Sequence, residues 1–428
     1  REYMTFNDGA RFYFPERLAK PLPHSYSDGD PAMLMTDEST LEKISSLQLP
    51  RYQLANYLNQ EATQLEDEQQ IINDLSTGGG NMLGFTRSMF YKRLSSSAYA
   101  FICSLDSHVQ RNNLYIYAIE NNLNIPIGKI PAIFYNTDEN DDEDVEEIFL
   151  SLNDVDPAQQ YEQLQKNNKG VRWLRADLFS PELLESLRND TAILSSLLND
   201  FGPLDHMADS KLNALEKLLK EDHPNEKVVI FSEFKDTVTY ITESLQSRGI
   251  SNVESVSGAD ANPSSVAHRF SPKSNSSLLR QPLSADEEIL ILVSTDVLSE
   301  GQNLQDAHIV INFDLPWAII RLIQRAGRVD RVGQESSEVL VYSFLPEDGV
   351  ENVIELRARI KNRLEEAAVA FGSDEEFFGT EGETQTIEGL YNGTLEDIDD
   401  VEIDAASFAF QVWQEAETSY PDLAERAK

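Results

Sequence analysis

The amino-acid sequence predicts an α/β fold in which a parallel sheet is covered by helices, with mainly helical regions on either side. Between about residues 227 and 344, short apolar runs alternate mostly with stretches whose apolar residues recur at helical spacing. Strands that are apolar on both faces are typical of a parallel sheet with helices on each side. Elsewhere the helical period dominates.

The alternating region gives each element of the sheet in turn. Strands are predicted at 227–232, 252–257, 289–294, 308–313 and 338–344, and helices at 235–248, 263–270 and 317–327. The polar stretch from Ser271 to Asp286 interrupts the alternation and predicts a loop.

Composition divides the chain into four regions. Residues 1–37 contain four prolines and several aromatic side chains, which predicts an extended connector with one strand. Residues 38–200 are predicted to form a helical brace with an acidic loop, and residues 201–346 hold the α/β lobe. Residues 347–428 are predicted to form an acidic, helical tail.

Within the brace, the 3.6-residue period predicts one long amphipathic helix from Leu83 to Asn113.

Length and composition limit the classes of function. The 428 residues suffice for two or three domains, and no apolar run reaches the roughly 18 residues that a membrane helix needs. No signal peptide is recognisable, and the single cysteine excludes an internal disulfide. We therefore expect a soluble, cytoplasmic protein that has no membrane partner.

The formal net charge of −39 conflicts with nucleic-acid binding, which rests on lysine and arginine contacts to phosphates. Acidic runs at 138–144 and within 374–404 are typical of solvated surface. They could instead repel DNA from the wrong surfaces or attract a basic partner. In either case, contact with DNA would have to be confined to a local basic strip.

Three arginines stand three residues apart in the segment Gln-Arg-Ala-Gly-Arg-Val-Asp-Arg-Val-Gly-Gln at 324–334. The segment reads as a short helix, which would align Arg325, Arg328 and Arg331 along one face. Arginine is permanently charged and grips phosphate oxygens through two parallel hydrogen bonds. The row therefore predicts contact with the terminal phosphate of a nucleotide.

Together with two blocks upstream, this segment resembles the C-terminal lobe of superfamily 2 helicases of the Swi/Snf-like branch. The arginine segment is similar to motif VI, Ser-Thr-Asp-Val-Leu-Ser-Glu-Gly-Gln-Asn-Leu at 294–304 is similar to motif V, and Lys-Val-Val-Ile-Phe-Ser-Glu-Phe at 227–234 is similar to motif IV. The resemblance covers about residues 205–345 and implies a RecA-like lobe.

The resemblance implies roles for individual residues. Arg328 and Arg331 would be the catalytic arginines that reach the γ-phosphate of ATP, with Gln324 and Arg325 in support. Further contacts are expected from residues of the three motifs and the brace: Asp296 and Gly301 on the nucleotide side, and Ser232, Thr295, Asn303, Lys92 and Arg93 on the nucleic-acid side.

Three of these assignments have structural alternatives. Asp296 could hold a ribose or the neighbouring motif VI arginine. Ser232 could cap the helix that begins near residue 235 instead of lying near nucleic acid. Lys92 and Arg93 could form a surface or interlobe salt bridge instead of contacting a phosphate backbone.

A complete motor of this type also needs a phosphate-cradling Gly-x-x-x-x-Gly-Lys-Ser/Thr loop and an acidic magnesium motif, and this sequence contains neither. We therefore expect the chain to be the second lobe, with flanks, of a longer protein. ATP would be its cofactor, with Mg²⁺ held by the absent first lobe. No metal-ligand spacing is present among the histidines.

Two functions remain open. The first is one half of an ATP-dependent DNA translocase or helicase, a nucleotide-binding hydrolase associated with the nucleoid. It would act on double-stranded DNA or protein–nucleic-acid complexes in phage defence or transcription recycling, with an N-terminal RecA-like lobe and protein partners. The alternative is a non-catalytic scaffold that binds proteins through its acidic helical flanks. Alone, the chain is expected to hydrolyse no ATP and to bind duplex DNA poorly.

Overall fold

The computed structural model describes residues 3–5, 11–22, 24–59, 61–77, 82–127, 156–166, 171–257, 263–275, 283–284, 287–296, 303–316 and 319–345. All of these residues belong to one compact unit, Arg1–Gly379. The predicted tail at 347–428 and the acidic run at 138–144 lie outside the described residues.

A six-stranded parallel sheet forms the centre of the α/β lobe, which confirms the predicted fold class. Its strands, in spatial order, are β3 (Glu16–Leu22), β10 (Glu338–Phe344), β9 (Ile309–Asn312), β6 (Val228–Phe231), β8 (Ile291–Ser294) and β7 (Val253–Val256). The two other described sheets are antiparallel pairs of strands: β1 (Tyr3–Thr5) with β2 (Arg11–Tyr13), and β4 (Asn124–Ile127) with β5 (Arg172–Arg175).

The described α-helices are α1 (Ala32–Met35), α2 (Glu38–Ser46), α3 (Glu66–Thr77), α4 (Met82–Ser96), α5 (Ala98–Glu120), α6 (Pro157–Lys166), α7 (Pro181–Phe201), α8 (Ser210–Lys217), α9 (Lys235–Ser247), α10 (Pro263–Phe270) and α11 (Ile319–Ala326). A π-helical turn (Leu218–Asp222) follows α8. The strands and helices predicted between 227 and 344 all occur, each within two residues of its predicted ends. Among the described helices, none combines the length and apolar character that crossing a membrane requires.

Strand alternation gives the sheet a core on each face. In β6, Val228 and Ile230 pack into one core, while Val229 and Phe231 pack into the other. This is the period-2 pattern of a strand, and all four residues are fully buried. The sheet is therefore covered on both sides, as the apolar runs predicted.

The segment predicted as a connector supplies an edge strand to the sheet. Strand β3 pairs in parallel with β10 over seven residue pairs, from Glu16 opposite Glu338 to Leu22 opposite Phe344. Residues near the start of the chain are therefore held in fixed register with the strand that follows the arginine segment.

The long helix predicted from Leu83 to Asn113 is two helices, so that prediction is wrong. The chain leaves helical geometry at Ser97, whose φ of −157° and ψ of 149° are extended. The Ser97 hydroxyl accepts the Ala100 backbone N–H at 3.0 Å and caps α5. Serine favours such a cap over a helix interior, and a periodicity argument does not register this preference.

Strands β4 and β5 were also missed. Residues 150–198 carry helical signals, yet Arg172–Arg175 form a strand paired antiparallel with Asn124–Ile127. Both strands are four residues long, too short for a period-2 pattern to stand out from a helical one.

Candidate nucleotide and nucleic-acid site

Arg325 is wholly buried and joins motif VI to the carboxyl ends of the strands. Its Nε and Nη2 donate to the two carboxylate oxygens of Asp296 at 2.6 and 2.9 Å. Its Nη1 donates to the side-chain oxygen of Asn312 and to the carbonyl of Asp314, each at 3.2 Å. The guanidinium also lies over the Phe231 ring, 5.5 Å from its centroid. Because it is enclosed by these partners, Arg325 positions the segment and is not presented to a ligand.

The charge of Arg325 is compensated inside the lobe. Burial alone would lower its pKa, but the carboxylate of Asp296 and its hydrogen bonds outweigh burial and leave the pKa raised. Of the two roles open for Asp296, the geometry matches the pairing with a motif VI arginine. A second cation, Arg321, lies 3.4 Å from Asp296 and 3.8 Å from Glu233.

Arg328 and Arg331 do not share a helix face with Arg325, so the predicted row is wrong. Helix α11 ends at Ala326, and residues 327–334 continue in turns and bends. Glycine is a poor helix former, and Gly327 is the first residue beyond the helix. The two later arginines are half-buried on this turn segment, whereas Arg325 is in the interior.

Arg331 connects motif VI to the end of motif V. Its Nη1 donates to the side-chain oxygen of Asn303 at 3.0 Å, and its Nε donates to the carbonyl of Gly327 at 3.2 Å. The Leu304 backbone N–H donates to the Arg328 carbonyl at 3.3 Å. Asn303, predicted to contact nucleic acid, therefore holds an arginine that is predicted to contact ATP.

Gln334 fastens the far end of the turn segment. Its side-chain nitrogen donates to the carbonyls of Gln305, Ala307 and Val329 at 3.2, 2.8 and 3.1 Å. Gly333 has a φ of +104°, where other residues would be strained, and an added Cβ would stand 3.2 Å from the Gln305 side-chain nitrogen. Segment 327–334 is thus tied at one end to Arg325 and at the other to residues just before β9.

Asp314, two residues beyond β9, organises a buried polar cluster. Its carboxylate accepts the hydroxyls of Ser96, at 2.5 Å, and of Ser232, and it accepts the Glu233 backbone N–H at 2.9 Å. Ser232 is fully buried, which conflicts with its predicted contact with nucleic acid. The cap alternative also does not hold, because the N-cap of α9 is Phe234, without a side-chain cap.

Lys92 and Arg93 form salt bridges with the lobe, which is the alternative that the sequence left open. Lys92 Nζ lies 2.7 Å from a carboxylate oxygen of Glu233, and the two side chains are 8% and 4% exposed. Arg93 donates from both terminal nitrogens to Asp236 and lies over the Phe234 ring. The predicted phosphate contact conflicts with this geometry, because both cations already neutralise carboxylates near the start of α9.

Lys211 of α8 clamps the break between α4 and α5. Its Nζ donates to the carbonyls of Ser95 and Ser96 at 2.8 and 2.7 Å and lies 4.3 Å from the centroid of the Phe313 ring. These carbonyls lie at the end of α4, where the helix dipole favours a cation. The brace helices are thereby joined to the α/β lobe by hydrogen bonds that are closed to water.

Lys211 gives the stability of the chain a pH dependence. Burial lowers its pKa to about 8 from 10.5, against the opposing effect of Asp314 and Asp209. Between these values the unfolded chain binds a proton that the folded chain does not, so the free energy of unfolding rises with pH across this window. We expect a gain of up to about 3 kcal/mol from pH 8 to 10.5 in wild type, absent from Lys211→Met.

Denaturant unfolding at a series of pH values measures this effect as the difference between wild type and variant. Lys217→Met, which removes an exposed lysine from the same helix, serves as the control. A difference that stays constant from pH 8 to 10.5 would contradict the assignment.

The other predicted site residues are less closely engaged. Thr295 is half-buried, and its backbone N–H donates to the Val256 carbonyl at 3.1 Å. Gln324 is half-buried in α11, and Gly301 lies outside the described residues.

Within the part of the chain that the structure describes, no group of His, Cys, Asp and Glu side chains could hold a metal ion.

Sequence reasoning missed four residues that connect the motifs: Asp314, Glu233, Arg321 and Lys211. The first two directly follow the strand regions β9 and β6, at the carboxyl ends where functional groups of parallel sheets collect. That position was a usable signal. Arg321 and Lys211 offer no such signal, because their roles depend on helices packing against the ends of those strands.

Comparison with known proteins adds to this geometry. Residues 210–333 match the family model described as the helicase conserved C-terminal domain. These residues are a helicase C-terminal domain. The match, taken with the helicase relatives given next, bears out the resemblance to the C-terminal lobe of a superfamily 2 helicase, and we refer to the α/β lobe predicted at 201–346 as the helicase lobe.

Relatives of the helicase lobe are much longer than the matched segments. The chain is 35% identical over 130 residues to the uncharacterized ATP-dependent helicase YqhH of Bacillus subtilis, covering 30% of this chain and 21% of that protein. It is 38% identical over 73 residues to the RNA polymerase-associated protein RapA of Pseudomonas putida, covering 17% of this chain and 8% of that protein. It thus spans about a fifth or less of these two proteins.

Among solved structures, the C-terminal part of the Fun30 ATPase domain aligns with 80% of this chain and 88% of that one. The sequence identity is 16% and the TM-score is 0.38, which is too low to add to the assignment.

Proposed function

We propose that this chain contributes the second motor lobe of an ATP-dependent, Swi/Snf-like translocase that acts on double-stranded DNA or on protein–nucleic-acid complexes. The observation that carries the proposal is the buried pairing of Arg325 with Asp296. It joins motif V to motif VI and fixes the start of the segment that bears Arg328 and Arg331. Because the segment is already fixed before ATP binds, its arginines can stabilise the charge of the transition state without a rearrangement of the protein.

Arg328 and Arg331 are the groups that would hold the terminal phosphate of ATP. Arg328 and Arg331 are permanently charged and stand three residues apart on a segment that is held at both ends, which suits binding of a phosphate. ATP supplies the phosphoryl group and Mg²⁺ its counter-charge. The phosphate-loop lysine and the magnesium ligands would come from a first lobe, since this sequence has no such loop. The 428-residue chain by itself is therefore proposed to hydrolyse no ATP.

Nucleic acid would contact the helicase lobe mainly through backbone groups of motif V, near Thr295. Of the side chains predicted for this contact, Ser232 and Lys92 are buried, and Arg93 is paired with Asp236. Because Lys92 and Arg93 are paired with carboxylates, useful affinity for nucleic acid would need the first lobe. A role in transcription, close to the nucleoid, is proposed because the lobe is similar to an RNA polymerase-associated protein. A role in phage defence is the alternative.

The test is ATP hydrolysis by the full-length protein in the presence of double-stranded DNA, single-stranded DNA or RNA, with the 428-residue chain as a parallel sample. We expect duplex DNA to stimulate the full-length protein most and the chain alone to remain at background. Hydrolysis by the chain alone would contradict the proposal that the phosphate-loop lysine and the magnesium ligands come from a first lobe. A full-length protein without hydrolysis under any condition would favour a protein-binding scaffold, which the net charge of −39 also suits.

A further inference from the structure

The segment that follows α10, residues 271–275, is fastened to the residues that precede β9. The side-chain nitrogen of Asn275 donates to the Ser271 carbonyl at 2.7 Å and to the Asn303 carbonyl at 2.9 Å, and Asn275 is 2% exposed. Because both acceptors are carbonyl oxygens, only the nitrogen of the amide can make these contacts, and it uses both of its hydrogens.

Asp306 adds four hydrogen bonds between the 271–275 segment and the residues before β9. Its carboxylate accepts the backbone N–H groups of Lys273 and Ser274 at 2.7 and 2.9 Å, and it also accepts the Ser274 hydroxyl. The Asp306 backbone N–H donates to the hydroxyl of Ser271, which is fully buried, at 3.1 Å. A polar network with this many satisfied members holds the two stretches of chain in one arrangement.

Asn303 connects this arrangement to Arg331. Its carbonyl accepts the side chain of Asn275, and its side-chain oxygen accepts Nη1 of Arg331 at 3.0 Å. The Nε of Arg331 donates to the Gly327 carbonyl at 3.2 Å. Two hydrogen bonds from different nitrogens fix the plane of a guanidinium, and bidentate contact with a phosphate depends on that plane. The orientation of Arg331 therefore depends on where Asn275 holds Asn303.

We propose that Asn275 is a positioning residue for phosphate binding: by holding the backbone of Asn303, it orients the guanidinium of Arg331 for the terminal phosphate of the nucleotide. The inference rests on the proposed function, and it assigns a part in ATP hydrolysis to a segment outside the three helicase motifs. Asn275 lies 28 residues before Asn303 in the sequence. Since it acts through Arg331, its loss should lower activity only while Arg331 is present.

The test is the kcat and KM of ATP hydrolysis by the full-length protein. Asn275→Ala is expected to lower kcat about tenfold with little change in KM, because Arg331 loses its fixed orientation in the transition state. Arg331→Ala should itself lower kcat at least about a hundredfold, and adding Asn275→Ala to it should cause no further loss. Asn56→Ala, the same substitution at an exposed asparagine, is the control and should keep wild-type kcat.

Each result decides a separate point. If Asn275→Ala keeps wild-type kcat, or lowers kcat equally with and without Arg331, Asn275 does not act through Arg331 and the inference is overturned. If Arg331→Ala itself keeps wild-type kcat, the proposed function is overturned, and the inference with it.

A second variant covers the case in which circular dichroism shows that Asn275→Ala does not fold. Asp306→Ala loosens the same segment from a half-buried position, and its loss of kcat should likewise disappear in the Arg331→Ala background. An equal loss in both backgrounds would overturn the inference.

Discussion

Replacing Arg328 with alanine in the full-length protein is expected to lower the kcat of nucleic-acid-stimulated ATP hydrolysis by about a thousandfold. The reason is that a guanidinium placed in advance at the terminal phosphate stabilises the charge that develops in the transition state. Arg328 lies on a segment that is fixed by Arg325 at one end and by Gln334 at the other, so a neighbouring side chain has little freedom to replace it. Steady-state kinetics at saturating nucleic acid measures the effect.

The control for this prediction is Arg188→Ala, which removes a half-exposed arginine of α7 that pairs with Glu120. It should leave kcat unchanged. Circular dichroism of Arg328→Ala should match wild type, which would show that the loss of kcat is not a loss of folding. An Arg328→Ala protein that is folded and fully active would show that motif VI does not act on ATP here.

Replacing Arg325 with methionine is expected to lower the free energy of unfolding of the chain by about 3 kcal/mol. The substitution leaves the carboxylate of Asp296, which is 10% exposed, without its two shortest hydrogen bonds. Arg321 at 3.4 Å would compensate only in part. Denaturant unfolding followed by circular dichroism measures the loss.

A second substitution separates the lost pair from lost packing. Adding Asp296→Leu to Arg325→Met removes the unpaired charge and should recover part of the stability. As a control, Lys166→Met breaks a pair with Glu162 whose side chains are 75% and 71% exposed, and it should cause no measurable change. If Arg325→Met were as mild as Lys166→Met, the buried pair would not be what fixes motif VI.

The helicase lobe could be predicted closely because its signals are local. Strands β6, β8 and β9 are short apolar runs bounded by polar residues, and the helices of the lobe keep a clear period. The helices of the brace were harder to predict. The break at Ser97 is set by a capping preference and by contacts with Thr237 on α9, which the period along the helix does not contain.

The sequence predicted which residues form the candidate site, but it did not predict which partner each of them contacts. The motifs correctly grouped Asp296 with Arg325 as one of two alternatives. They did not predict that Lys92 would pair with Glu233, or that Ser232 would point at Asp314. The first interaction depends on how the brace packs on the lobe, and the second depends on β6 and β9 being neighbours in the sheet. Both are tertiary information. The salt bridge between Arg17 on the edge strand β3 and Asp330 could not be predicted for the same reason.

In the proposed function, this lobe reaches the terminal phosphate of ATP through motif VI. The most direct measurement is the affinity of the full-length protein for ADP with aluminium fluoride and Mg²⁺, a mimic of the transferring phosphoryl group, compared with ADP alone. Wild type should prefer the mimic by at least about 100-fold, and Arg328→Ala should lose that preference while binding ADP as wild type does. An Arg328→Ala protein that keeps the full preference for the mimic would show that Arg328 does not contact the transferring phosphoryl group.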